Sequence, residues 1–246
     1  MTTVITTFSK DGYELYGHKM LETWIEHWSE EYNLLVYTEK FNILEKDSRI
    51  KVVDLNHSCP DLLEFKEKSN ALLLDKNRRE ISRIQKTVKW SHKVFAITDA
   101  ILNSNDDYFI FLDGDTYTTN PVGSLLAEKL IEDHLIAVHF EYLKGKLHFE
   151  TGLIVFNKKH KQIEKFLKLY KSAYVNMTIY NEEKTWDGFW LAQLYKELNL
   201  DIKNLSEGES KVVFGHHLVR NILKHDVGTE KYLKAGYNKF TGKKND

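Results

Sequence analysis

Cysteine and proline are nearly absent from the sequence: among 246 residues there are one cysteine, Cys59, and two prolines. A single cysteine cannot form an internal disulfide, which excludes a small secreted scaffold held by disulfides and favours a reducing compartment. No apolar run approaches the roughly 20 residues that a membrane-spanning helix needs. No linker rich in proline or glycine interrupts the chain, so we predict a single domain over residues 1–246.

Neither sign of charge is in excess, because 35 Lys+Arg stand against 36 Asp+Glu and the formal net charge is −1. This balance argues against a nucleic-acid binder that works by bulk electrostatics. With 42% hydrophobic and 29% charged residues, the composition is typical of a soluble globular protein. The first residues lack the charged-then-apolar pattern of a signal peptide. We therefore expect a cytoplasmic protein, in the host cytoplasm if a phage encodes it, and leave open a homo-oligomer.

Arginine is also scarce, with five arginines against thirty lysines. Three of the five, Arg78, Arg79 and Arg83, fall within six positions. The planar guanidinium group suits phosphate, which makes a local cluster in an arginine-poor chain a candidate phosphate contact. A solvated helix face explains the same charges, and for a charge run taken alone we favour it.

Apolar patterns predict an α/β chain that begins β-α-β-β. The first half contains a strand at 4–8, a helix with apolar positions at helical spacing over 20–28, and strands at 34–37 and 52–55. Residues 60–79 are polar and poorly periodic, which indicates short helices and loop. A long helix over 81–102 follows and ends at the run Asn103–Asp107, a typical helix stop.

The strongest strand signal is Tyr108–Leu112, five large apolar residues without alternation, which is typical of a central strand covered on both faces. Downstream, the pattern predicts a helix at 124–131, strands at 135–140 and 153–156, and helices at 160–174 and 187–198. A less regular segment closes the chain. Together these elements predict a central, mixed, mostly parallel sheet flanked by helices.

An acidic pair, Asp113 and Asp115, directly follows this central strand. Open α/β sheets bind ligands at the carboxyl ends of their strands, and in extended geometry the two side chains point the same way. Gly114 between them allows the backbone to approach a ligand closely. Two carboxylates on one side suit Mg²⁺ or Mn²⁺, and such an ion holds substrate phosphates. A plain turn explains the same residues, since turns are rich in aspartate and glycine.

The segment Phe109–Thr116, FIFLDGDT, resembles the strand and DxD element of GT-A nucleotide-sugar glycosyltransferases. Three further stretches resemble elements of small bacterial and phage GT-A enzymes, in the same order: ETG at Glu150–Gly152, WDGF at Trp186–Phe189 and HxxGxxK at His225–Lys231. The resemblance spans residues 4–237. It implies one GT-A (Rossmann-like) domain, with a nucleotide-binding half over 1–115 and an acceptor and sugar half with a C-terminal closing segment over 116–246.

The resemblance makes Asp113, Asp115 and His225 the ligands of a divalent cation, Mn²⁺ or Mg²⁺, that bridges the donor diphosphate. It places Glu150 at the acceptor site and Asp187 beneath the transferred sugar, so these two are the catalytic candidates. If transfer inverts the anomeric carbon, one of them is the general base; if it retains the configuration, they position or stabilise the charged sugar. Three of these residues also have a plain alternative: His225 as a surface histidine, Glu150 as a loop glutamate and Asp187 as a helix N-cap.

The remaining implied contacts are to the donor. The end of the first strand would meet the nucleotide base, on which Tyr13 or Tyr16 stacks unless the ring belongs to the core. Lys93 would face the donor, and Arg83 would reach the pyrophosphate or only solvent. The substrate-binding candidates are Thr6, Thr7, Phe8, Tyr13, Arg83, Lys93, Asp113, Gly114, Thr151, Gly152, Gly228 and Lys231.

The leading hypothesis is a metal-dependent glycosyltransferase that moves a hexose from a nucleotide-diphosphate sugar to an acceptor hydroxyl. We favour a UDP-sugar such as UDP-glucose as donor and a saccharide or another hydroxyl-bearing molecule as acceptor. Two alternatives stay open. Asp113 and Asp115 after an apolar strand also resemble the first motif of haloacid-dehalogenase-type phosphatases, in which the first aspartate is the nucleophile. The chain could also bind a nucleotide sugar without catalysis, because a fold alone does not establish a function.

Overall fold

The computed structural model describes residues 1–44, 47–74, 76–143, 145–206 and 214–225. Its strands are β1 (Thr2–Phe8), β2 (Tyr32–Thr38), β3 (Ile50–Asp54), β4 (Tyr108–Leu112), β5 (Thr116–Thr118), β6 (Ile136–Leu143), β7 (Lys146–Asn157), β8 (Ile202–Asn204) and β9 (Leu223–His225). Within the described residues, seven of these form one sheet in the order β3-β2-β1-β4-β7-β6-β8. Strand β7 is antiparallel to both its neighbours, and the other pairs in this sheet are parallel. The predicted mixed, mostly parallel sheet is confirmed.

Strand β4 lies at the centre of the sheet, as its unbroken apolar run predicts. It pairs in parallel with β1 and antiparallel with β7. Phe109, Ile110 and Phe111 have no exposed surface, because side chains cover both faces of the sheet here. The acidic pair after β4 therefore begins where the ends of β1 and β4 lie side by side.

The helices are α1 (Lys10–Gly12), α2 (His18–His27), α3 (Leu55–Ser58), α4 (Pro60–Ala71), α5 (Arg78–Asn103), α6 (Leu126–Ile131), α7 (Ile163–Val175) and α8 (Asp187–Leu198). A π-helical turn, Tyr13–Gly17, joins α1 to α2, and a 3-10 turn, Thr178–Asn181, follows α7. Helix α5 begins with a capping box, in which Asn77 and Glu80 each accept a hydrogen bond from the other's backbone N–H. This cap fixes the start of the helix that the sequence predicted from position 81.

One continuous helix, α4, occupies most of the region in which the polar composition indicated short helices and loop. Pro60 stands in its first turn, where a missing N–H costs nothing. The buried residues of α4 are Leu62, Phe65 and Ser69. Such a narrow stripe, with one polar member, produces little helical periodicity in the sequence. The prediction of loop in this region is therefore wrong for a physical reason.

Helices cover both faces of the sheet and leave its carboxyl edge open. One apolar layer includes Phe65 of α4, Ile97 of α5 and Leu191 of α8. The other includes Trp24 of α2 and Leu130 of α6. Among the described residues, no helix combines the length and apolar character that a bilayer crossing requires.

A separate antiparallel pair, β5 and β9, brings the last described residues to the carboxyl edge of the sheet. Thr116 pairs with His225, and the N–H of Thr119 donates to the carbonyl of Ile222 at 2.7 Å. The sequence predicted only a less regular segment here. Through this pairing, the backbone of His225 lies beside the residue that follows Asp115.

Candidate active site

A cavity of about 680 Å³ opens at the carboxyl edge of the sheet, beside the ends of β1 and β4. Open α/β sheets bind their ligands at this edge. Side chains from α5, β7 and the start of α8 complete its wall. Nine of the residues selected from the sequence line it: Thr7, Phe8, Lys93, Asp113, Gly114, Asp115, Glu150, Thr151 and Asp187.

Asp113, Asp115 and His225 form a cluster in which one ligand atom from each residue lies within 4.8 Å of the others. His225 Nε2 is 2.6 Å from Asp115 Oδ1. The turn between the aspartates is closed by a hydrogen bond from the Thr116 N–H to the Asp113 carbonyl, at 2.9 Å. Two carboxylates and an imidazole are ligands that Mn²⁺ and Mg²⁺ accept, and all three side chains are half-buried, so solvent reaches them. The donor set therefore fits a divalent cation.

The His225 ring belongs to this acidic cluster. Burial favours the neutral imidazole, but the hydrogen bond and charge of Asp115, together with Asp113 and Glu150, raise the pKa of His225 above its ordinary value. The ring also packs edge-on against Phe214, at a centroid distance of 5.8 Å. The acidic pair thus holds the imidazole in place, and the plain alternative of a surface histidine does not describe it.

Lys93 on α5 joins the metal-ligand cluster to the neighbouring wall of the cavity. Its Nζ lies 2.9 Å from Asp113 Oδ1 and 3.2 Å from Asp187 Oδ2. It also donates to the carbonyl and hydroxyl oxygens of Thr151, both at 3.0 Å. Burial opposes the charge on this side chain, but Asp113 and Asp187 outweigh burial and raise the pKa of Lys93. The Lys93 ammonium therefore forms buried ion pairs with two carboxylates, those of Asp113 and Asp187.

Asp187 is the first residue of α8 and is only 3% exposed. Its Oδ2 accepts a hydrogen bond from the Thr151 hydroxyl at 2.6 Å, in addition to its contact with Lys93. Trp186 occupies the N-cap position, and no side-chain hydrogen bond caps the helix. The alternative in which Asp187 is the N-cap is therefore wrong. The carboxylate is held on the cavity wall by Lys93 and Thr151.

Glu150 on β7 is in a different environment from Asp187. Its Oε1 accepts a hydrogen bond from the Gly152 N–H at 3.0 Å. Burial, and next the charge of Asp113, raise the pKa of Glu150 above its usual range. A carboxylate with a raised pKa accepts protons more readily near neutral pH than one bound by an ammonium. Of the two catalytic candidates, Glu150 is therefore better suited to act as a base.

Gly114 allows the end of β4 to pack closely against the end of β1. A Cβ atom at this position would lie 2.7 Å from Phe8 Cε1 and 3.0 Å from the Thr7 carbonyl oxygen. The sequence suggested that this glycine serves the approach of a ligand. In the structure, its missing side chain makes room for two residues that line the same cavity.

Solved structures share this architecture, although no protein-family model and no curated protein sequence matches the chain. The apo structure of mouse xyloside xylosyltransferase 1 superposes with a TM-score of 0.53 and 12% identity, covering 83% of this chain and 85% of its own. The galactosyltransferase LgtC, in complex with donor and acceptor sugar analogues, gives a TM-score of 0.54 and 14% identity, covering 92% of this chain and 87% of its own. Both are GT-A glycosyltransferases. This chain has the GT-A fold.

Some residues that were predicted to contact the donor do not line the cavity of the GT-A fold. Tyr13 packs against Phe8 and Phe41, at centroid distances of 5.8 and 5.7 Å, whereas Tyr16 lines the cavity. The guanidinium of Arg83 donates to the carbonyl of Tyr180 in the 3-10 turn, at 3.0 Å, and to the carbonyl of Glu182 directly after the turn, at 2.7 Å. Arg83 therefore anchors that turn, and its neighbours Arg78 and Arg79 are exposed at the start of α5.

The other residues that were predicted to contact the donor either have structural roles or lie outside the described residues. Thr6 is fully buried within β1, and its hydroxyl has no hydrogen-bond partner among the described residues. The carbonyl of Gly152 accepts a hydrogen bond from the Asp113 N–H at 3.0 Å, which ties β7 to the acidic pair. Gly228 and Lys231 lie outside the described residues.

Sequence reasoning missed a polar group at the β2 end of the GT-A cavity. Glu39 accepts a hydrogen bond from Lys66 at 2.9 Å and lies 3.1 Å from His92 Nδ1. Burial favours the neutral carboxyl, but His92 and Lys66 lower the pKa of Glu39 to about 2. The three residues are far apart in sequence and belong to no motif, so nothing in the chain pattern pointed to them.

We expect Gly188→Ala to destabilise the fold and displace Asp187. A Cβ at Gly188 would lie 2.0 Å from the carbonyl oxygen of Phe149, a backbone atom that cannot rotate away. Overpacking of this kind costs about 1–3 kcal/mol, and occasionally more. Urea unfolding measures the loss. Gly123→Ala is the matched control, because its Cβ would meet nothing within 4 Å, and it should change stability by less than about 0.5 kcal/mol. Equal unfolding midpoints for the two variants would contradict the packing argument.

Proposed function

We propose that this protein is a metal-dependent glycosyltransferase that transfers a hexose from a nucleotide-diphosphate sugar, with UDP-glucose the favoured donor, to an acceptor hydroxyl. One observation carries the proposal: Asp113 and Asp115 line the cavity of a GT-A fold and form a divalent-cation ligand set with His225, and Lys93 joins Asp113 to Asp187. The names of the two structural neighbours, a xylosyltransferase and a galactosyltransferase, support sugar transfer as the reaction.

The main barrier in this chemistry is the negative charge that builds on the leaving diphosphate. A divalent cation, Mn²⁺ or Mg²⁺, bound by Asp113, Asp115 and His225 would neutralise that charge. The protein's part is to fix these ligands: Lys93 holds Asp113, and the pairing of β5 with β9 holds His225 beside Asp115. These contacts position the ligands before a substrate binds, and such preorganisation is how electrostatic catalysis avoids the cost of reorganisation.

The two acidic candidates divide into different roles. Glu150 is the proton acceptor for the attacking hydroxyl if the anomeric configuration inverts, because its pKa is raised. Asp187 pairs with the Lys93 ammonium and accepts a hydrogen bond from the Thr151 hydroxyl, so its carboxylate already has two partners and is not the base in this proposal. It is suited to stabilise positive charge on the transferred sugar or to accept hydrogen bonds from its hydroxyls.

Donor screening tests the proposal directly. The purified protein is incubated with UDP-glucose, UDP-galactose, UDP-GlcNAc or a GDP-sugar, with Mn²⁺, Mg²⁺ or EDTA, and nucleotide release and thermal midpoint are measured. We expect one donor class to raise the midpoint and to be hydrolysed slowly only when the cation is present. Absence of both turnover and cation-dependent nucleotide binding across the panel would sink the proposal.

The same protein sample also tests the phosphatase alternative. In the fold, Asp113 Oδ1 is bound by the Lys93 ammonium, which lowers its nucleophilicity, so we expect no release of phosphate from p-nitrophenyl phosphate. Phosphate release at a rate above that of donor hydrolysis would favour the alternative instead.

We expect Glu150→Gln to lower kcat by roughly 10²–10⁴-fold and to change its pH dependence. The base is the carboxylate, which forms as pH rises through a pKa above the ordinary 4.5, so kcat of the wild type should rise along an acidic limb. The amide cannot ionise, so this limb should vanish in the variant. Glu183→Gln, in an exposed ion pair with Lys146, is the control and should retain the wild-type profile. Persistence of the acidic limb in Glu150→Gln would assign the base elsewhere.

A further inference from the structure

Two tryptophans line the cavity next to the catalytic candidates. Trp90 lies on α5, one turn before Lys93, and Trp186 immediately precedes Asp187. Both are half-buried, and their ring centroids are 6.1 Å apart at an interplanar angle of 70°. Their position puts two indole rings on the wall of the cavity that Glu150 and Asp187 also line.

The packing of these rings distinguishes them from the other tryptophans of the chain. Trp24 and Trp28 are at most 3% exposed and belong to the apolar layer over α2. Trp190 packs against the opposite layer and donates its indole N–H to the Tyr170 carbonyl at 3.0 Å. Trp90 and Trp186 belong to neither layer, so core packing does not account for them.

The orientation of Trp186 is set by rings from three different elements. Besides Trp90 of α5, His148 of β7 lies 6.4 Å from it at 77°, and Phe189 of α8 lies 6.1 Å from it at 73°. His148 is itself held by Glu141, at 2.9 Å from its Nε2. The Lys184 ammonium lies over the same indole, 5.4 Å from the ring centroid, so a ligand would stack on the other face. A ring fixed in this way is a preformed surface and loses little freedom when a ligand binds.

The chemistry of this surface selects among hydroxyl-bearing acceptors. A pyranose ring has one face of C–H groups, which packs on an indole, and a rim of hydroxyls, which reach polar groups beside it. A serine hydroxyl or a glycerol phosphate offers no such face. Glu150 and Asp187 line the same cavity, where their carboxylate oxygens can accept hydrogen bonds from those hydroxyls.

We propose that the acceptor is a saccharide whose terminal pyranose stacks on Trp186, with Trp90 limiting its position and Glu150 facing the hydroxyl that reacts. This assignment rests on the proposed function and narrows it, from any hydroxyl to a sugar hydroxyl. The indole is an acceptor-binding group, so its loss should weaken acceptor binding and leave donor chemistry intact.

The test separates acceptor use from donor hydrolysis. With the donor found by screening, transfer is measured to methyl glucoside, methyl galactoside and lactose, and in parallel to a serine peptide and to glycerol 3-phosphate. We expect transfer to at least one of the glycosides. In Trp186→Ala the KM for that glycoside should rise about tenfold or more, the size of one or two lost aromatic contacts. The KM for the donor and the rate of acceptor-free hydrolysis should stay within about twofold.

Two further variants keep the result interpretable. Trp186→Phe retains an aromatic ring and should give a smaller rise in acceptor KM, which tests the surface even if Trp186→Ala does not fold. Trp190→Phe, one helical turn along α8, loses a core hydrogen bond and should leave acceptor KM unchanged.

Each unfavourable result has a distinct meaning. Transfer to the peptide or to glycerol phosphate, but to none of the glycosides, overturns the saccharide assignment while the proposed function stands. An unchanged acceptor KM in both Trp186 variants overturns the stacking role. Absence of both turnover and cation-dependent nucleotide binding in the wild type overturns both proposals.

Discussion

Replacing Lys93 with methionine is expected to lower the free energy of unfolding by about 3–5 kcal/mol, the cost of removing one member of a buried ion pair. The methionine fills most of the space of the lysine stem, so the loss comes from charge and not from a cavity. Asp187, at 3% exposure, is left as a buried carboxylate whose one remaining described hydrogen bond is from Thr151. Urea unfolding followed by circular dichroism measures the difference.

A double-mutant cycle separates this electrostatic cost from a loss of packing. Adding Asp187→Asn to Lys93→Met removes the more buried of the two carboxylate charges that have lost the ammonium. The double variant should be less destabilised than Lys93→Met alone, because replacing both partners costs less than removing one. The interaction energy between the two positions should exceed about 1 kcal/mol. If the changes in the free energy of unfolding are strictly additive, the contact between Lys93 and Asp187 contributes no interaction energy to stability.

The pH dependence of the same variant has a predictable sign. The pKa of Lys93 is raised, so its charge stabilises the wild type at and below the ordinary value of 10.5 and is lost only above it. In Lys93→Met, the Asp187 carboxylate has lost its cation and remains buried, at 3% exposure. Acidification then protonates the unpaired carboxylate. The difference in free energy of unfolding between Lys93→Met and wild type should therefore become smaller as pH falls. A gap that widens on acidification would contradict the assignment.

The fold was predictable where one strong local pattern decides the outcome. Tyr108–Leu112 is an unbroken apolar run, and the strand has the predicted bounds. Helix α4 was missed because its buried stripe is narrow. Strand β9 was missed because three residues with one buried side chain carry no pattern of their own, and their structure comes from pairing with β5 across more than a hundred positions.

The site was predictable only as a set of residue types, and its contacts were not. The resemblance to GT-A elements implied a common ion for Asp113, Asp115 and His225, and the fold brings the three together across 110 positions. The same reasoning treated Lys93 as a donor contact and Asp187 as a possible cap. Their mutual ion pair depends on how α5 packs against the start of α8, which no local pattern encodes.

Asp115→Asn is expected to abolish cation-dependent function while preserving the fold. The amide keeps the size of the carboxylate but removes one anionic ligand and one of two neighbouring like charges. In wild type, Mn²⁺ at 100 times its Kd should stabilise the protein by about 2.7 kcal/mol, and this gain should disappear in the variant. A loss of several kcal/mol of charge stabilisation corresponds to roughly a 10³-fold fall in kcat. Thermal midpoints with and without Mn²⁺, and donor turnover, measure the two effects.

The chain offers a matched control for this variant in a second aspartate–histidine pair. Asp201 Oδ1 lies 2.6 Å from His134 Nδ1, the same separation as in the candidate site, but both side chains are well exposed and neither lines the cavity. Asp201→Asn should retain the Mn²⁺-dependent rise in midpoint and the turnover of wild type. If both variants lose the rise equally, the cation is stabilising surface carboxylates in general. If neither loses it, the ion binds elsewhere, and the ligand role of Asp115 is wrong even if the protein transfers sugars.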